Sequence, residues 1–473
     1  MISCIKLPEV TTLDPYMHSL RARFNLHLVS SKKNVVNTMP PEILGEIFLK
    51  LHEDDDMVLH HSVRPLVSRS CHSNPLLFGR VCSYWRNVAL NTPALWSRIY
   101  ILKPQRSQVQ QTQLWLERAG TYPLDLSMWT PAVEQFDQSA ADDIMSLFME
   151  RRQYWKSISF AIGFQTFGAF SKMVKSEPCL HLLESATLAI SKSGSEVDDP
   201  DAMIDSIWKA IHACTVLRYV DWRSFYRRDL PEHCPWDQLT GLTLSTSVSF
   251  KQLLNVLSIS PQLEFLQAHW LISSDTECSE IPTTLSPVTH LHLKKFYITL
   301  KRDGGPLFRL LSLPAVQVLK IRNSFLENNQ RDMIGFQEFL DRSNSIQLTD
   351  FELEDICIDD GDLQKYLGSP GLKHLRCFKL FTTKITDKIV NQLAYLDEEG
   401  NHKVLPALQV LDITSDRLQT KDGNLSDMIT SRFYPSRKQG NLSKILLLMD
   451  NIGPVDLTVI CKLFGQGLEG SVQ

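Results

Sequence analysis

Apolar residues recur along this chain in two distinct periods. Between Pro41 and Leu51, the side chains Ile43, Leu44, Ile47, Phe48 and Leu51 share one helical face. Glu42, Glu46 and Lys50 take the other side, so the spacing predicts an amphipathic helix opened by Pro40 and Pro41. A second helix is predicted over Leu76 to Leu90, with Leu77, Val81, Trp85 and Val88 on one face and Cys82 and Ala89 beside it. Asn91 or Thr92 then caps a short turn begun by Pro93 and carrying Leu95 and Trp96.

From about residue 155 the period changes to apolar, two residues, apolar, one residue, apolar. The clear instances are Leu217–Val220–Trp222, Leu239–Leu242–Leu244, Leu263–Leu266–Ala268, Val288–Leu291–Leu293, Val316–Leu319–Ile321, Leu348–Phe351–Leu353, Leu375–Phe378–Leu380, Leu408–Leu411–Ile413 and Leu442–Ile445–Leu447. Trp155–Ile158–Phe160 and Leu183–Ala186–Leu188 are weaker copies. The spacing runs from 22 residues early in the array to 34 at its end, and this period and signature point to leucine-rich repeats. The last two apolar positions of each unit lie two apart, so they share one side of a short strand. Helix signals fall between the strands: Ser249 with Gln252 as a capping box, Pro306 opening a helix, and Thr386 as an N-cap. The expected fold is α/β: an N-terminal helical module followed by an irregular repeat solenoid with a parallel concave sheet. A generic α/β sheet of crossover units is the alternative.

Met39 to Trp96, taken in order, is a proline-opened helix, a loop, Val-Cys-x-x-Trp-Arg and then Pro-x-Leu-Trp. This order resembles an F-box and is most similar to the large F-box family of mushroom-forming fungi. Those proteins also follow the box with a segment like Leu114-Trp115-Leu116-Glu117-Arg118-Ala119-Gly120 and a strand like Pro123-Leu124-Asp125-Leu126. The resemblance implies a substrate-receptor subunit of a ubiquitin ligase, docked on a Skp-type adaptor and through it on a cullin, with the repeats holding a client protein. It also implies that Met39, Pro40, Ile43, Leu44, Ile47, Phe48 and Leu51, with Val81, Cys82 and Trp85, form or support the adaptor-binding surface. Two departures stand out: Met39 replaces the usual Leu before Pro40, and the loop after the first helix is long. The expected organisation is a weakly ordered arm over 1–38, an F-box-like domain over 39–100 with an insertion at 52–75, and a linker plus solenoid over 101–473. A helical hairpin that binds no partner is the plainer alternative for the first domain.

Composition narrows the function. The chain of 473 residues is 43% hydrophobic and 22% charged, which suits a folded protein with a large core. A net charge of −4 gives no general attraction to nucleic acid or acidic membranes. Ten scattered cysteines without zinc spacing suit a reducing compartment, and the N-terminus lacks a secretion signal, so a cytoplasmic or nuclear location is expected. Glu53 to Asp56, His60-His61 and Cys71-His72 read as a solvated insertion rather than a metal site. No phosphate loop, nucleophile elbow or zinc-protease pair occurs, so no catalysis and no cofactor are expected.

Client recognition is expected on the exposed side of the strands. There Tyr219, Asp221 and Arg223, then Phe265, Gln267 and His269, belong to successive units. A basic stretch containing His292, Lys294, Lys320 and Arg322 lies beside an acidic one containing Asp350 and Glu352. This bipolar strip either reads a charged client segment or is a solvated face whose charges balance. Two rival functions remain: an interaction scaffold that delivers nothing for degradation, and an enzyme with an unrecognised site on the concave face.

Overall fold

The computed structural model describes residues 39–54, 75–130, 136–163, 166, 180–191, 200–223, 230–272, 287–324, 331–344, 347–433 and 442–472. The expected arm over 1–38 and the insertion from residue 55 to 74 lie outside these. The chain forms two compact units, Met1–Leu95 and Trp96–Gln473.

The first unit contains helices α1 (Pro41–Asp54), α2 (Pro75–Phe78) and α3 (Ser83–Leu90) and a 3-10 turn, Pro93–Leu95. Phe48 is its centre: fully buried, it stacks on Phe78 at 4.1 Å between ring centroids and lies 5.0 Å from Trp85. Leu44, Val88, Ala89 and Leu95 complete the core. The expected continuous helix over 76–90 is instead broken at Gly79–Val81, where glycine weakens helix propagation. Cys82 starts the next helix as its N-cap, its sulfur accepting the Trp85 N–H at 3.4 Å. Val81 therefore does not share a buried face with Val88; it is 45% exposed.

The second unit is a mixed α/β structure dominated by one parallel sheet. Its strands are β1 (Arg98–Leu102), β2 (Leu124–Trp129), β3 (Trp155–Gly163), β4 (Ser185–Ser191), β5 (Tyr219–Trp222), β6 (Gly241–Leu244), β7 (Val248–Ser249), β8 (Phe265–Ile272), β10 (Lys295–Leu300), β12 (Val318–Asn323), β13 (Asp350–Asp355), β14 (Cys377–Thr386), β15 (Val410–Gln419), β16 (Lys444–Met449) and β17 (Glu469–Val472). A separate pair joins β9 (Val288–Thr289) to β11 (Leu311–Ser312). Apart from β7, which adds to the far half of β8, the main strands lie side by side in chain order. Helices α4 (Arg106–Ala119), α5 (Gln138–Glu150), α6 (Pro200–His212), α7 (Phe250–Ile259), α8 (Gly305–Phe308), α9 (Met333–Arg342), α10 (Asp360–Leu367), α11 (Asp387–Ala394), α12 (Asn424–Phe433) and α13 (Pro454–Gly465) return the chain between strands. Parallel neighbours require such crossovers.

Register explains why the strands stack. Leu242, Leu266, Phe296, Leu319, Phe351, Phe378, Leu411 and Ile445 form one buried row across the sheet. The residues two further on form a second row, from Leu244 to Leu447. Just before each strand, one carbonyl accepts two successive amides of the next unit: Thr240 O from Glu264 and Phe265, Glu264 O from Lys294 and Lys295, and so on to Gln409 O from Ser443 and Lys444. Each unit thus satisfies its edge on the one before.

One expected unit is corrected. Val288–Leu291–Leu293 is not a rung of the ladder; the rung is Leu293–Phe296–Ile298. The run Leu291-His-Leu-Lys-Lys-Phe-Tyr-Ile offers two overlapping registers, and the observed one buries Leu293, Phe296 and Ile298 while leaving Leu291 63% exposed. His290 enforces it: its buried ring bonds Ser260 O through Nε2 at 2.8 Å, and Nδ1 accepts the amides of His292 and Leu293. The sheet also begins earlier than expected, at β1, with Trp96, Ile99 and Ile101 buried in the same pattern. Trp96 belongs to this second unit, edge-on to Trp115 and under the Arg118 guanidinium at 4.2 Å. The C-terminal glycines do not end the array in a loose tail: Gly470, at φ 147°, approaches the Ile445 carbonyl too closely for any side chain as β17 joins β16.

Two buried arginines are paired across units. Buried Arg331 holds Asp355 through two bonds at 2.7 and 2.8 Å, with Asn323 on the same carboxylate. Buried Arg432 at the end of α12 donates to the carbonyls of Leu393, Val404 and Leu405. The corrected register makes a direct prediction. Phe296→Ala will cost about 3–5 kcal/mol by urea unfolding, whereas Leu291→Ala will stay within about 0.5 kcal/mol. Equal losses would overturn the assignment.

Candidate functional site

The first unit is too small to close over all its large side chains. Among the residues expected to meet an adaptor, Leu44 and Phe48 are buried and support the surface from beneath. Ile47, Leu51, Met39 and Trp85 are half-buried, and Pro40 is exposed. Ile43 is 52% exposed and Val81 45%. Cys82 is half-buried, its sulfur accepting the Trp85 N–H as the helix cap. Leu76, at 44%, and Leu90 add exposed apolar surface that the sequence reading had placed on a helix without singling out. Tyr84 ties the entry of α1 to α3 by donating to the Met39 carbonyl, which holds the helix starts together.

In the second unit, the residues between the buried rows form a polar face. Lys320 on β12 pairs with Glu352 on β13 at 2.9 Å, and Arg322 with Glu354 at 3.0 Å. The Lys320 ammonium also lies 4.8 Å from the Tyr297 ring centroid. The expected basic and acidic stretches are thus neighbouring strands whose side chains neutralise one another. Asp350 accepts the Thr349 hydroxyl at 2.7 Å. Burial pushes the Glu354 carboxyl above its usual range, against the pull of Arg322. Lys294 precedes its strand and pairs with Glu264 at 2.9 Å. His292 is corrected: it sits in the turn held by His290 and not on the strand face. In its place Lys295, Tyr297 and Thr299 carry that face, a result of the register change.

The face also holds a feature that period reading cannot detect. Ala268 pairs with Ile298 but Leu271 pairs with Leu300, so His269 and Trp270 together oppose Thr299. This is a β-bulge. Trp270 adopts φ 64° and is 41% exposed.

A chain of titratable groups lies on the helix side. Asp205 Oδ1 is 3.0 Å from His233 Nε2, and His233 Nδ1 is 2.8 Å from His212 Nδ1. Among the described residues His212 Nε2 is buried without a partner, with Trp208 and Trp222 packed around the ring. Burial first, then His233, push His212 down to about 3. The chain therefore ends on a sealed imidazole rather than an open cavity. Among the described residues, no group of His, Cys, Asp or Glu is arranged to hold a metal, and no helix is long and apolar enough to cross a membrane. The cysteines at 71 and histidines at 60, 61 and 72 fall outside the described residues. No protein-family model matches the chain, and no curated protein matches it.

Two outcomes follow. A double-mutant cycle of Lys320→Ala and Glu352→Ala will give a coupling of about 0.2–1 kcal/mol, since the pair is only partly shielded; zero coupling would show the charges to be independent. His212 binds its proton far more weakly when folded than the unfolded value of about 6.5. Its contribution to stability is therefore complete above that value and declines as pH falls toward 3. Urea midpoints between pH 7.5 and 4.5 will fall less steeply in His212→Gln; parallel slopes would contradict this.

Proposed function

We propose that this chain is a substrate receptor of a Skp–cullin–F-box type ubiquitin ligase. In this reading the first unit is an F-box that docks a Skp-type adaptor. The strand–helix ladder of the second is an irregular leucine-rich-repeat solenoid whose strand face holds the client. The observation that carries the reading is the set Ile43, Leu76, Val81 and Leu90, left open on a small helical unit whose Phe48–Phe78–Trp85 core is already filled. Such exposed apolar side chains on so short a module suit burial against another protein. A stable adaptor contact would bury on the order of 1,600 Å2.

The order of elements supports the second half. Units that each bury two apolar rows against the next, with one carbonyl bridging each seam from β4 to β16, are what a repeat array requires. The polar face between the rows supplies contact surface for a client. The receptor's contribution to ubiquitin transfer would then be proximity: a held client meets the thioester of another subunit as an effectively intramolecular reaction.

Co-purification with the tagged full chain tests this. Wild type will recover adaptor and cullin. Ile43→Asp with Val81→Asp will lose adaptor at least tenfold while keeping the wild-type unfolding midpoint. Phe48→Ala will lose both adaptor and the stability of the helical unit, by about 3–5 kcal/mol. A wild-type chain that captures no adaptor, or a double variant that captures it normally, sinks the proposal. Recovery of adaptor without cullin would make the chain a scaffold outside degradation.

A further inference from the structure

The bulge in β8 is held from both ends. Before it, Phe265 to Ala268 pair with β6 and β10; after it, Leu271 and Ile272 pair with β7. Trp270 is thereby kept in a left-handed conformation that a bulky side chain rarely adopts. Backbone strain of this kind persists only where the surroundings over-determine it, and it gathers at sites of function. The strain here presents an indole to solvent, with the Lys301 ammonium 4.8 Å from its centroid.

His269 stands beside it on β8 opposite Thr299, which pairs with Arg322 on β12, while Ser245 and Arg223 directly follow the last paired residues of β6 and β5 on its other side. Small Ser245 and Thr299 separate the three basic side chains. Both arginines act on the His269 ring: burial first, then Arg223 and Arg322, push it down to about 4. Among the described residues no hydrogen bond reaches either ring nitrogen. Arg223 is held through Nε by Asp221 at 2.7 Å, and Arg322 by Glu354 at 3.0 Å. Two guanidiniums are thus offset by two carboxylates. Among the described residues, the cation facing the site without a carboxylate partner is the Lys301 ammonium beside Trp270, and a bound carboxylate adds a proton on His269 to it.

We propose that this bulge grips an extended peptide segment containing a glutamate or aspartate, its carboxylate between Arg223, His269 and Arg322 and an adjacent apolar side chain on Trp270. Its meaning as the client's docking point rests on the receptor reading above; the binding itself does not. Bound carboxylate raises the affinity of His269 for its proton, so binding takes one up and strengthens as pH falls. The other titratable groups facing the site are Asp221, Tyr297, Lys301 and Glu354, with the two arginines.

Full-length protein is used to select from a displayed library of random linear twelve-residue peptides. Each selected peptide is then made in acid, amide (Gln or Asn) and phosphoserine forms and titrated by fluorescence anisotropy. The acid form will bind about tenfold or more tighter than the amide form. Its affinity will rise as pH falls from about 7 to about 5, toward the value of about 4 at which the free His269 ring takes up its proton, and in His269→Gln that rise will disappear. Trp270→Gly, which relieves the left-handed strain while removing the indole, will weaken binding about tenfold with no fall in the unfolding midpoint. Failure to enrich acidic peptides, preference for the amide or phosphoserine form, or wild-type binding by both variants overturns the proposal. Adaptor capture is measured on the same preparations. Peptide binding without adaptor capture leaves the site standing and removes the receptor reading; adaptor capture without peptide binding does the reverse.

Discussion

The second unit depends on one constraint: each rung of two buried apolar residues is covered jointly by the rungs beside it and by the helices behind it. Phe351 and Leu353 lie between their neighbours on β12 and β14, and Phe351 packs on Phe336 of α9 and Tyr366 of α10. Stability is then a chain of nearest-neighbour terms. The same constraint separates the two faces of the sheet. Rows that point inward are fixed by packing, and rows that point outward are free to differ from strand to strand. That freedom lets one region carry opposed charges, as on β12 and β13, and another carry aromatic side chains, as with Tyr219, Phe265 and Tyr297.

Much of the ladder was legible because a two-residue alternation of large apolar side chains has few competing explanations. Where it was misread, the reason is local and physical. Around Leu291 two registers satisfy the same pattern, and the choice is made by His290, whose hydrogen bonds to Ser260 and to two amides hold the turn. Periodicity carries no information about such a ring. Strand β1 was not expected because Ile99 and Ile101 form only a short alternation directly after the helical unit, whereas a strand at Leu124 to Leu126 was expected from the resemblance. Cys82 looked like a face residue because its role as a cap depends on the break at Gly79, which apolar spacing alone does not reveal.

The candidate sites divide the same way. Exposure of Ile43 and Val81 follows from how little a short helical unit can cover, and the sequence pointed to both. The pairing of Lys320 and Arg322 with Glu352 and Glu354 required knowing that β12 and β13 are neighbours in step. The bulge at His269 and Trp270 required the count of residues between hydrogen-bonded pairs on two strands. Nothing in the composition of Gln-Ala-His-Trp-Leu announces an extra residue.

Buried Arg432 carries a wider consequence. Its guanidinium, on α12, is satisfied entirely by carbonyls that belong to the preceding helix and the loop after it. A duplication or deletion of one module at this seam would strand the charge or leave three oxygen atoms without donors. These two modules are therefore structurally interdependent, as are those joined by buried Arg331, Asn323 and Asp355.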